Sequence, residues 1–450
     1  MKSEKMEDGR WKMDAIKRNF LQQYKVLNVG YFVFAAIIIS VIGFFYPSVL
    51  FISAAFYWLA AFRNRWQISQ RNQIQTIALA VLGFCLTFIA HFLQPNLDIS
   101  GLLNSNLTIV SMIGAVSFLT VISQPKLTQE EKLPQGKRSI ISTFLSVHLF
   151  GSVINISSLF IHADRMSANR PLTRAQVVLL TRGFSTAAFW SPFFAAMAVA
   201  ISYTPQANLF YVMTIGISLS LLSLFITYFE VRSLVDKSVF HGYPLRLASL
   251  WLPSVLAIIV FSVHALFEQL SILVIITMSA PLLSILVLCT RTKPHVVIKK
   301  HIERKLSGMH NEIVLFLSAG IFGFGLKNVV DALQLHAVFQ QFDALTASIC
   351  FIIIMLLSLL GFHMLIGISI MAPLVISLNP DPSLLAVVIL CGWSLGSAVG
   401  PLSGMNISIQ SIYGIKSNTI LRWNFRYVAM MSCVVIGVLF LFETYLLAVS

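Results

Sequence analysis

Long apolar runs recur along almost the whole chain and leave only short polar loops between them. A run of about 18 residues or more is long enough to cross a bilayer as a helix, and a soluble domain has no way to bury so many of them. The hydrophobic share of 57% and the mean hydropathy of +0.84 agree with this interpretation. We therefore expect an all-α polytopic membrane protein whose partner is the lipid bilayer.

The net charge of +14 indicates orientation in the membrane. Lys and Arg lie in the short loops and form no single basic face, so we expect no nucleic-acid partner. The five Cys stand apart within apolar segments without metal-ligand spacing, and we expect neither a disulfide framework nor a metal site.

The distribution of Lys and Arg predicts a re-entrant hairpin at residues 140–161. If every apolar segment crossed once from a cytoplasmic N-terminus, three basic loops would lie outside, against the preference of these residues for the cytoplasmic side. A hairpin that enters and leaves on the cytoplasmic side returns all three loops to the cytoplasm. The loops contain Arg165, Arg170 and Arg174; then Arg232, Lys237 and Arg246; then RTKPHVVIKKHIERK with six Lys or Arg.

A second hairpin, opening from the outside, is predicted at 345–378. This apolar segment is 34 residues long, and its flanks carry no Lys or Arg. One long tilted helix is the alternative. With two hairpins the chain has about 11 transmembrane helices, a cytoplasmic N-terminus and a C-terminus outside, in a bacterial inner membrane.

The predicted organisation follows from these crossings. Residues 1–26 form a cytoplasmic amphipathic segment, 27–104 are N-terminal scaffold helices, and 247–312 are further scaffold helices with a basic cytoplasmic loop. Residues 105–246 and 313–450 are two repeats, each with one hairpin.

The two repeats share a short pattern. RGFSTAAFWSPFFAAMAVA at 182–200 aligns without gaps on CGWSLGSAVGPLSGMNISI at 391–409, so that Ser185 matches Ser394 and Pro192 matches Pro401. Chance similarity between apolar helices is the alternative. Five predicted crossings separate the hairpins, so the copies are inverted, as in secondary transporters whose sites form between broken helices at the midplane.

Gly, Ser, Pro and Asn within apolar runs predict that a helix unwinds there. Pro401 removes an amide, and irregular backbone at membrane depth needs protein or water to satisfy its polar groups. Half-helix ends then offer amides to an anion and carbonyls to a cation. Tight helix packing by small residues is the competing interpretation. The candidate binding residues are His148, Asn155, Ser157, Ser191, Pro192, His363, Ser369, Gly400, Pro401, Ser403, Gly404 and Asn406.

Charged and titratable residues suggest how transport is coupled. His148 and His363 fall in matching places near the two hairpin turns, where a histidine can relay a proton or only donate a hydrogen bond. Lys327 and Asp331 lie one helical turn apart and form a possible coupling pair, although snorkelling is an alternative. Arg182 is interpreted as an interfacial anchor. Sodium or a proton is the expected coupling ion, and no other cofactor is expected.

The sequence carries no Walker loop, HExxH, GxSxG or paired carboxylates, so we expect a transporter rather than an enzyme. The expected substrate is a small organic or inorganic anion. The alternative is a polymerase- or ligase-type membrane enzyme acting on lipid-linked glycans, which would want a charged external loop.

Two hairpins, two Gly-Pro breaks and inverted halves resemble the ion transporter superfamily, which includes divalent-anion:sodium symporters and arsenite or sodium/proton antiporter permeases. GPLSGMN, with Pro401 and Asn406, looks like the second break of that family, and SPFF at 191–194 looks like the first. The Ser-Asn-Thr hairpin signature of the family is absent. The resemblance implies a mobile transport domain that moves as an elevator against a homodimeric scaffold.

Overall fold

The computed structural model describes residues 28–98, 100–122, 133–235, 240–245, 251–290, 293–333 and 339–449. The predicted amphipathic segment at 1–26 lies outside the described residues. Within the described ranges the regular structure is helical, and one isolated bridge pairs Gln135 with His241. The all-α prediction is confirmed for this part of the chain.

The N-terminal helices are α1 (Val29–Phe45), α2 (Leu50–Arg63), α3 (Gln70–Leu93), α4 (Ser100–Asn104), α5 (Leu107–Val116) and α6 (Leu119–Ile122). Residues 133–235 contain α7 (Arg138–Ile154), α8 (Ile156–Ser167), α9 (Arg174–Thr186), α10 (Ala195–Tyr203) and α11 (Leu209–Leu234). The middle of the chain forms α12 (Trp251–Leu266), α13 (Ile272–Cys289), α14 (Pro294–His301) and a π-helical turn, Ile302–Leu306. The C-terminal part forms α15 (His310–Ala332), α16 (Ala344–Leu359), α17 (Met364–Ile376), α18 (Pro382–Val399), α19 (Gly404–Tyr413) and α20 (Ser417–Val449).

Membrane-crossing potential is spread over the fold. In the described ranges, seven helical stretches are long and apolar enough to cross a bilayer, among them Leu209–Leu234 and Pro382–Tyr413. Shorter apolar helices include α1, α7, α16 and α17. The chain is therefore an integral membrane protein by length and composition of its helices, while the count of about 11 crossings stays a prediction.

Two groups of helices pack among themselves. In the first group, α1 packs on α2 and α5, α13 packs on α5, and α3 crosses α15. In the second group, α7 packs on α9, and α18 packs on α10, α16 and α20. The first group consists largely of the helices predicted as scaffold, and the second consists of helices from both predicted repeats.

Two glycines allow the backbones of α3 and α15 to approach each other closely. A Cβ on Gly83 of α3 would lie 2.6 Å from the backbone nitrogen of Phe322, and one on Gly325 of α15 would lie 2.5 Å from the Gly83 carbonyl oxygen. Only glycine allows this approach, which brings α3 and α15 together over their full crossing.

Candidate functional site

Both predicted hairpins are helix pairs that fold back on themselves. In the first, α7 and α8 meet at Asn155, whose φ is +49°. The hydroxyl of Ser146 lies 2.8 Å from Nε2 of His162, which brings together residues on either side of the turn. The second hairpin turns after α16 at Gly361, with φ +95°, a conformation that favours glycine. The position of these hairpins in a bilayer stays a prediction.

The first predicted break lies between α9 and α10. After Thr186 the chain makes one 3₁₀ turn and then runs without helix until Ala195. Ser191 donates a hydrogen bond to the Ser152 carbonyl and accepts one from the Phe193 amide. Pro192 lies within this unwound segment. The serine therefore replaces bonds that the interrupted helix has lost.

The tip of the first hairpin also contacts this break. Asn155 Nδ2 donates to the Phe193 carbonyl at 3.2 Å. Hydrogen bonds from Asn155 and from Ser191 thus connect the first hairpin with the first break. Both residues serve to hold the backbone in this structure, and the hydroxyl of Ser157, two residues on from Asn155, points elsewhere, toward Lys305.

The second predicted break lies between α18 and α19. The helix ends at Val399, Gly400 has extended backbone (φ −61°, ψ 114°), and Ser403 caps α19 by accepting from the Asn406 amide at 3.3 Å. A Cβ on Gly400 would meet the Gly396 carbonyl at 2.7 Å, whereas one on Gly404 would meet nothing within 4 Å. The break is where the sequence predicted it, but Gly404 is not required there for space.

The second hairpin lies against this break. Gly361 faces the side chains of Pro401 and Leu402, and Gln75 of α3 donates to the Gly361 carbonyl at 3.1 Å. Ser369 of α17 is buried, and its hydroxyl has no hydrogen-bond partner within the described ranges.

The two histidines do not occupy matching places, which corrects the sequence interpretation. His148 precedes its turn residue, Asn155, by seven positions, whereas His363 follows Gly361 by two and caps α17 by accepting from the Leu365 amide at 3.2 Å. The physical reason is that the turn falls after one histidine and before the other. Matching the two segments by their histidines therefore gave the wrong register.

His148 is buried and fully hydrogen-bonded. Its Nδ1 lies 3.0 Å from the Thr186 hydroxyl and 3.2 Å from the Gly183 carbonyl, and Trp190 Nε1 donates to its Nε2 at 3.0 Å. These partners suit the neutral ring with its proton on Nδ1. His148 therefore holds α7 against the first break.

A small cavity lies beside the tips of both hairpins. It measures about 230 Å³ and is lined by Ile156 of the first tip, His363 of the second tip, Leu402 of the second break, and Asn72 and Glu312 of the first helix group. A neighbouring space of about 80 Å³ shares Ile156 and Glu312 and extends under the first tip. The cavity is the place where both repeats and the predicted scaffold meet.

Lys305 brings a positive charge to the neighbouring space of about 80 Å³. It lines the 80 Å³ space and donates from Nζ to the Ser157 hydroxyl at 3.2 Å. Burial lowers the pKa of Lys305, and the nearby Glu312 carboxylate opposes that shift. The π-helical turn carries this lysine, and such turns are frequent at functional sites. Sequence reasoning counted Lys305 only as loop charge, because hydropathy does not show which basic residue turns inward.

Arg182 is the other functional candidate that the sequence misplaced. It is fully buried rather than interfacial, which corrects the anchor interpretation. Nε donates to Asn424 at 2.9 Å, one terminal nitrogen binds Glu230 at 2.8 Å, and the other donates to the Trp423 carbonyl at 3.1 Å. The guanidinium also stacks 4.2 Å from the centre of the Tyr427 ring. These four contacts compensate the buried charge.

The predicted coupling pair lies away from the cavity. Lys327 and Asp331 are bonded at 2.8 Å, but their side chains are 50% and 39% exposed. A larger cavity, about 820 Å³, lies between α11 and the loop joining α12 to α13 and reaches neither hairpin nor unwound segment. In the described ranges, no group of three or more His, Cys, Asp or Glu could hold a metal ion.

One solved structure is informative. The chain is similar to the YdaH transporter of Alcanivorax borkumensis, whose crystal structure is reported to have an unusual topology. The TM-score is 0.55 at 14% sequence identity, over 82% of this chain and 98% of that chain. No family model matches the sequence, and no curated protein matches it.

At this identity the similarity shows the fold alone. The described helices share the fold of that transporter, and whether the chain is an enzyme stays a prediction. Membership of the ion transporter superfamily stays a resemblance.

Proposed function

We propose that this protein is a secondary transporter for a small anionic solute, with its binding site in the cavity at the two hairpin tips. The proposal depends on the position and surroundings of Lys305. It is a partly buried cation that reaches the first tip from the opposite group of helices, with Ser157 as its only hydrogen-bond partner in the described ranges.

The lining chemistry supports a small polar substrate. Asn72 and Asn311 bring side-chain amides, and Ser408 brings a hydroxyl, to the cavity of about 230 Å³. Drug-sized ligands occupy pockets of about 300–1,000 Å³, so a cavity of about 230 Å³ suits a smaller solute. A partly buried lysine attracts an anion more strongly than an exposed one because the surrounding dielectric is lower.

The position of the tips supports an inward-facing arrangement. Both tips lie beside the N-terminal ends of α3 and α15, where Gln75 and Glu312 are found. The basic loop that precedes α15 is predicted to be cytoplasmic. By this topology the cavity opens toward the cytoplasm, and an elevator movement would carry the two hairpins and breaks outward along α3 and α15.

The membrane context follows the same resemblance. The transporter acts in a bacterial inner membrane as a homodimer formed by its first helix group. An ion gradient supplies the energy.

Reconstitution tests the proposal. Purified protein is first screened by thermal unfolding with sulfate, phosphate, acetate, succinate and glutamate, and the anion with the largest shift is then followed as a radiolabelled solute entering liposomes. Lys305→Met is compared with Lys300→Met, which removes an exposed lysine from the same basic segment.

A hydrogen bond to a charged group contributes about 1.5–3 kcal/mol, so Lys305→Met should weaken binding about 10- to 100-fold, with Lys300→Met unchanged. Absence of flux for every anion that stabilises the protein would refute transport. Equal loss in both lysine variants would refute the site.

A further inference from the structure

The C-terminal end of α18 has the groups that commonly coordinate a coupling cation in transporters. The carbonyl oxygens of Ser397, Ala398 and Gly400 converge at the second break. Unwound carbonyls of this kind coordinate sodium where transporter helices are discontinuous. The resemblance to the ion transporter superfamily implies a sodium ion here, so the fit of the residues to such an ion can be tested.

The position facing these carbonyls is filled by an amide of the chain itself. Asn406 Nδ2 donates to Gly400 at 3.0 Å and to Ser397 and Ala398 at 3.4 Å each. Asn424 Nδ2 donates to the Ala398 carbonyl as well, at 3.2 Å. Neither asparagine is exposed. Hydrogen-bond donors therefore stand where a cation would have to bind.

A fixed positive charge lies directly behind this cluster. Asn424 accepts a hydrogen bond from Arg182 through Oδ1. Its Nδ2 donates hydrogen bonds to the Ala398 carbonyl and to the Thr181 hydroxyl. One amide thus connects the guanidinium to the carbonyl end of the helix. The arginine polarises that amide, while the Glu230 carboxylate compensates its charge.

The first break is closed to cations in a comparable way. The Ser394 hydroxyl donates to the Ser185 carbonyl at 2.8 Å, and the Ser220 hydroxyl donates to the Thr186 carbonyl at 3.0 Å. Met197 occupies the position that aligns with Asn406 and brings no oxygen. The donor set therefore does not fit a sodium ion at either break.

We infer that this chain has replaced the coupling cation with its own donors, Asn406 and Asn424 backed by Arg182, and that it binds no sodium at its breaks. The inference deepens the proposed function and rests on it, because it excludes the sodium gradient as the energy source. The inference depends on the orientation of the Asn406 side-chain amide. With Asn406 reversed, its Oδ1, which has no donor in the described ranges, would face three carbonyls and require a cation.

Thermal unfolding in three salts tests this inference without any transported solute. The wild-type protein is heated in NaCl, KCl or choline chloride at equal ionic strength. A protein that binds an ion only when folded gains stability as RT ln(1 + [L]/Kd), so a sodium site would give a saturable rise in the midpoint. We expect the three wild-type midpoints to agree within about 1 °C.

Substitutions at the same position sharpen the test. Asn406→Asp places a carboxylate among the carbonyls and should create a sodium-dependent rise that the wild type lacks. The control, Asn328→Asp, changes an amide that donates to a helix carbonyl on α15 and should show no difference between salts. Asn406→Met copies the residue of the first repeat and should fold without a sodium response.

The outcomes separate cleanly. A saturable sodium response of the wild type that Asn406→Met abolishes overturns the inference, and so does a folded Asn406→Asp protein with no sodium response. If Asn406→Asp does not fold, the wild type and Asn406→Met decide alone. Failure of the liposome assay would refute transport and leave these midpoints unaffected.

Discussion

Removing the Arg182 side chain should destabilise the protein far more than removing an exposed arginine such as Arg232. In Arg182→Met, the Glu230 carboxylate, the Asn424 amide oxygen and the Trp423 carbonyl each lose their donor. Breaking a buried pair by removing one partner costs about 3–5 kcal/mol. The Glu230 side chain is 24% exposed and can regain some water, so the lower end, about 3 kcal/mol, applies.

A thiol-reactive fluorescent dye provides the assay. After the exposed Cys85, Cys289 and Cys433 are replaced by Ala in every variant, the buried Cys350 and Cys391 become reactive only when the fold opens. With an unfolding entropy of about 2.1 cal/mol/K per residue, the midpoint of a 450-residue chain moves by about 1 °C per kcal/mol, so Arg182→Met should lower it by about 3 °C. Arg232→Met, at the exposed end of α11, is the matched control and should stay within about 0.5 °C of wild type.

The double variant Arg182→Met, Glu230→Met distinguishes a buried ion pair from general packing. With both charges gone, no uncompensated carboxylate is left, so the double variant should unfold at a higher temperature than Arg182→Met alone. A midpoint for Arg182→Met within about 0.5 °C of wild type, or a double variant that loses the sum of both single effects, would refute the reasoning.

Four further substitutions give separate predictions. A Cβ on Gly216 would overlap the Phe189 carbonyl oxygen, so Gly216→Ala should lower the unfolding midpoint, whereas Gly404→Ala, with open space, should not. Asp343→Ala removes the N-cap of α16 and should cost about 1 kcal/mol, measured in the same dye assay. Lys327→Met breaks only an exposed ion pair. The free energy of unfolding should stay within about 0.5 kcal/mol of wild type, and the flux should match that of wild type.

Features that depend on local chemistry could be predicted from the sequence. The chain unwinds at Pro192 and Pro401, which follow a Ser and a Gly, whereas Pro281 and Pro373 lie within the helices α13 and α17. The hairpins were predicted from segment length and from the positions of Lys and Arg. Helix pairs with turns at Asn155 and Gly361 lie at both places, while their re-entrant position in a bilayer stays a prediction. No tertiary information was needed for these features.

Features that depend on distant partners could not be predicted. Arg182 is stabilised by Glu230, 48 residues away, and by Asn424, 242 residues away, and no local pattern connects them. Lys305 meets Ser157 across 148 residues. Hydropathy alone places charged residues at the membrane surface, because it does not include partners that another helix supplies.

The contact between Ser185 and Ser394 restricts how this molecule can move. These aligned residues are joined by a hydrogen bond in which the Ser394 hydroxyl donates to the Ser185 carbonyl, so α9 and α18 cross where the two halves are most alike. A hinge cannot pass through that crossing without exposing a buried carbonyl. Under the proposed elevator mechanism, the two halves would therefore slide together along the faces of α3 and α15 rather than hinge at this crossing.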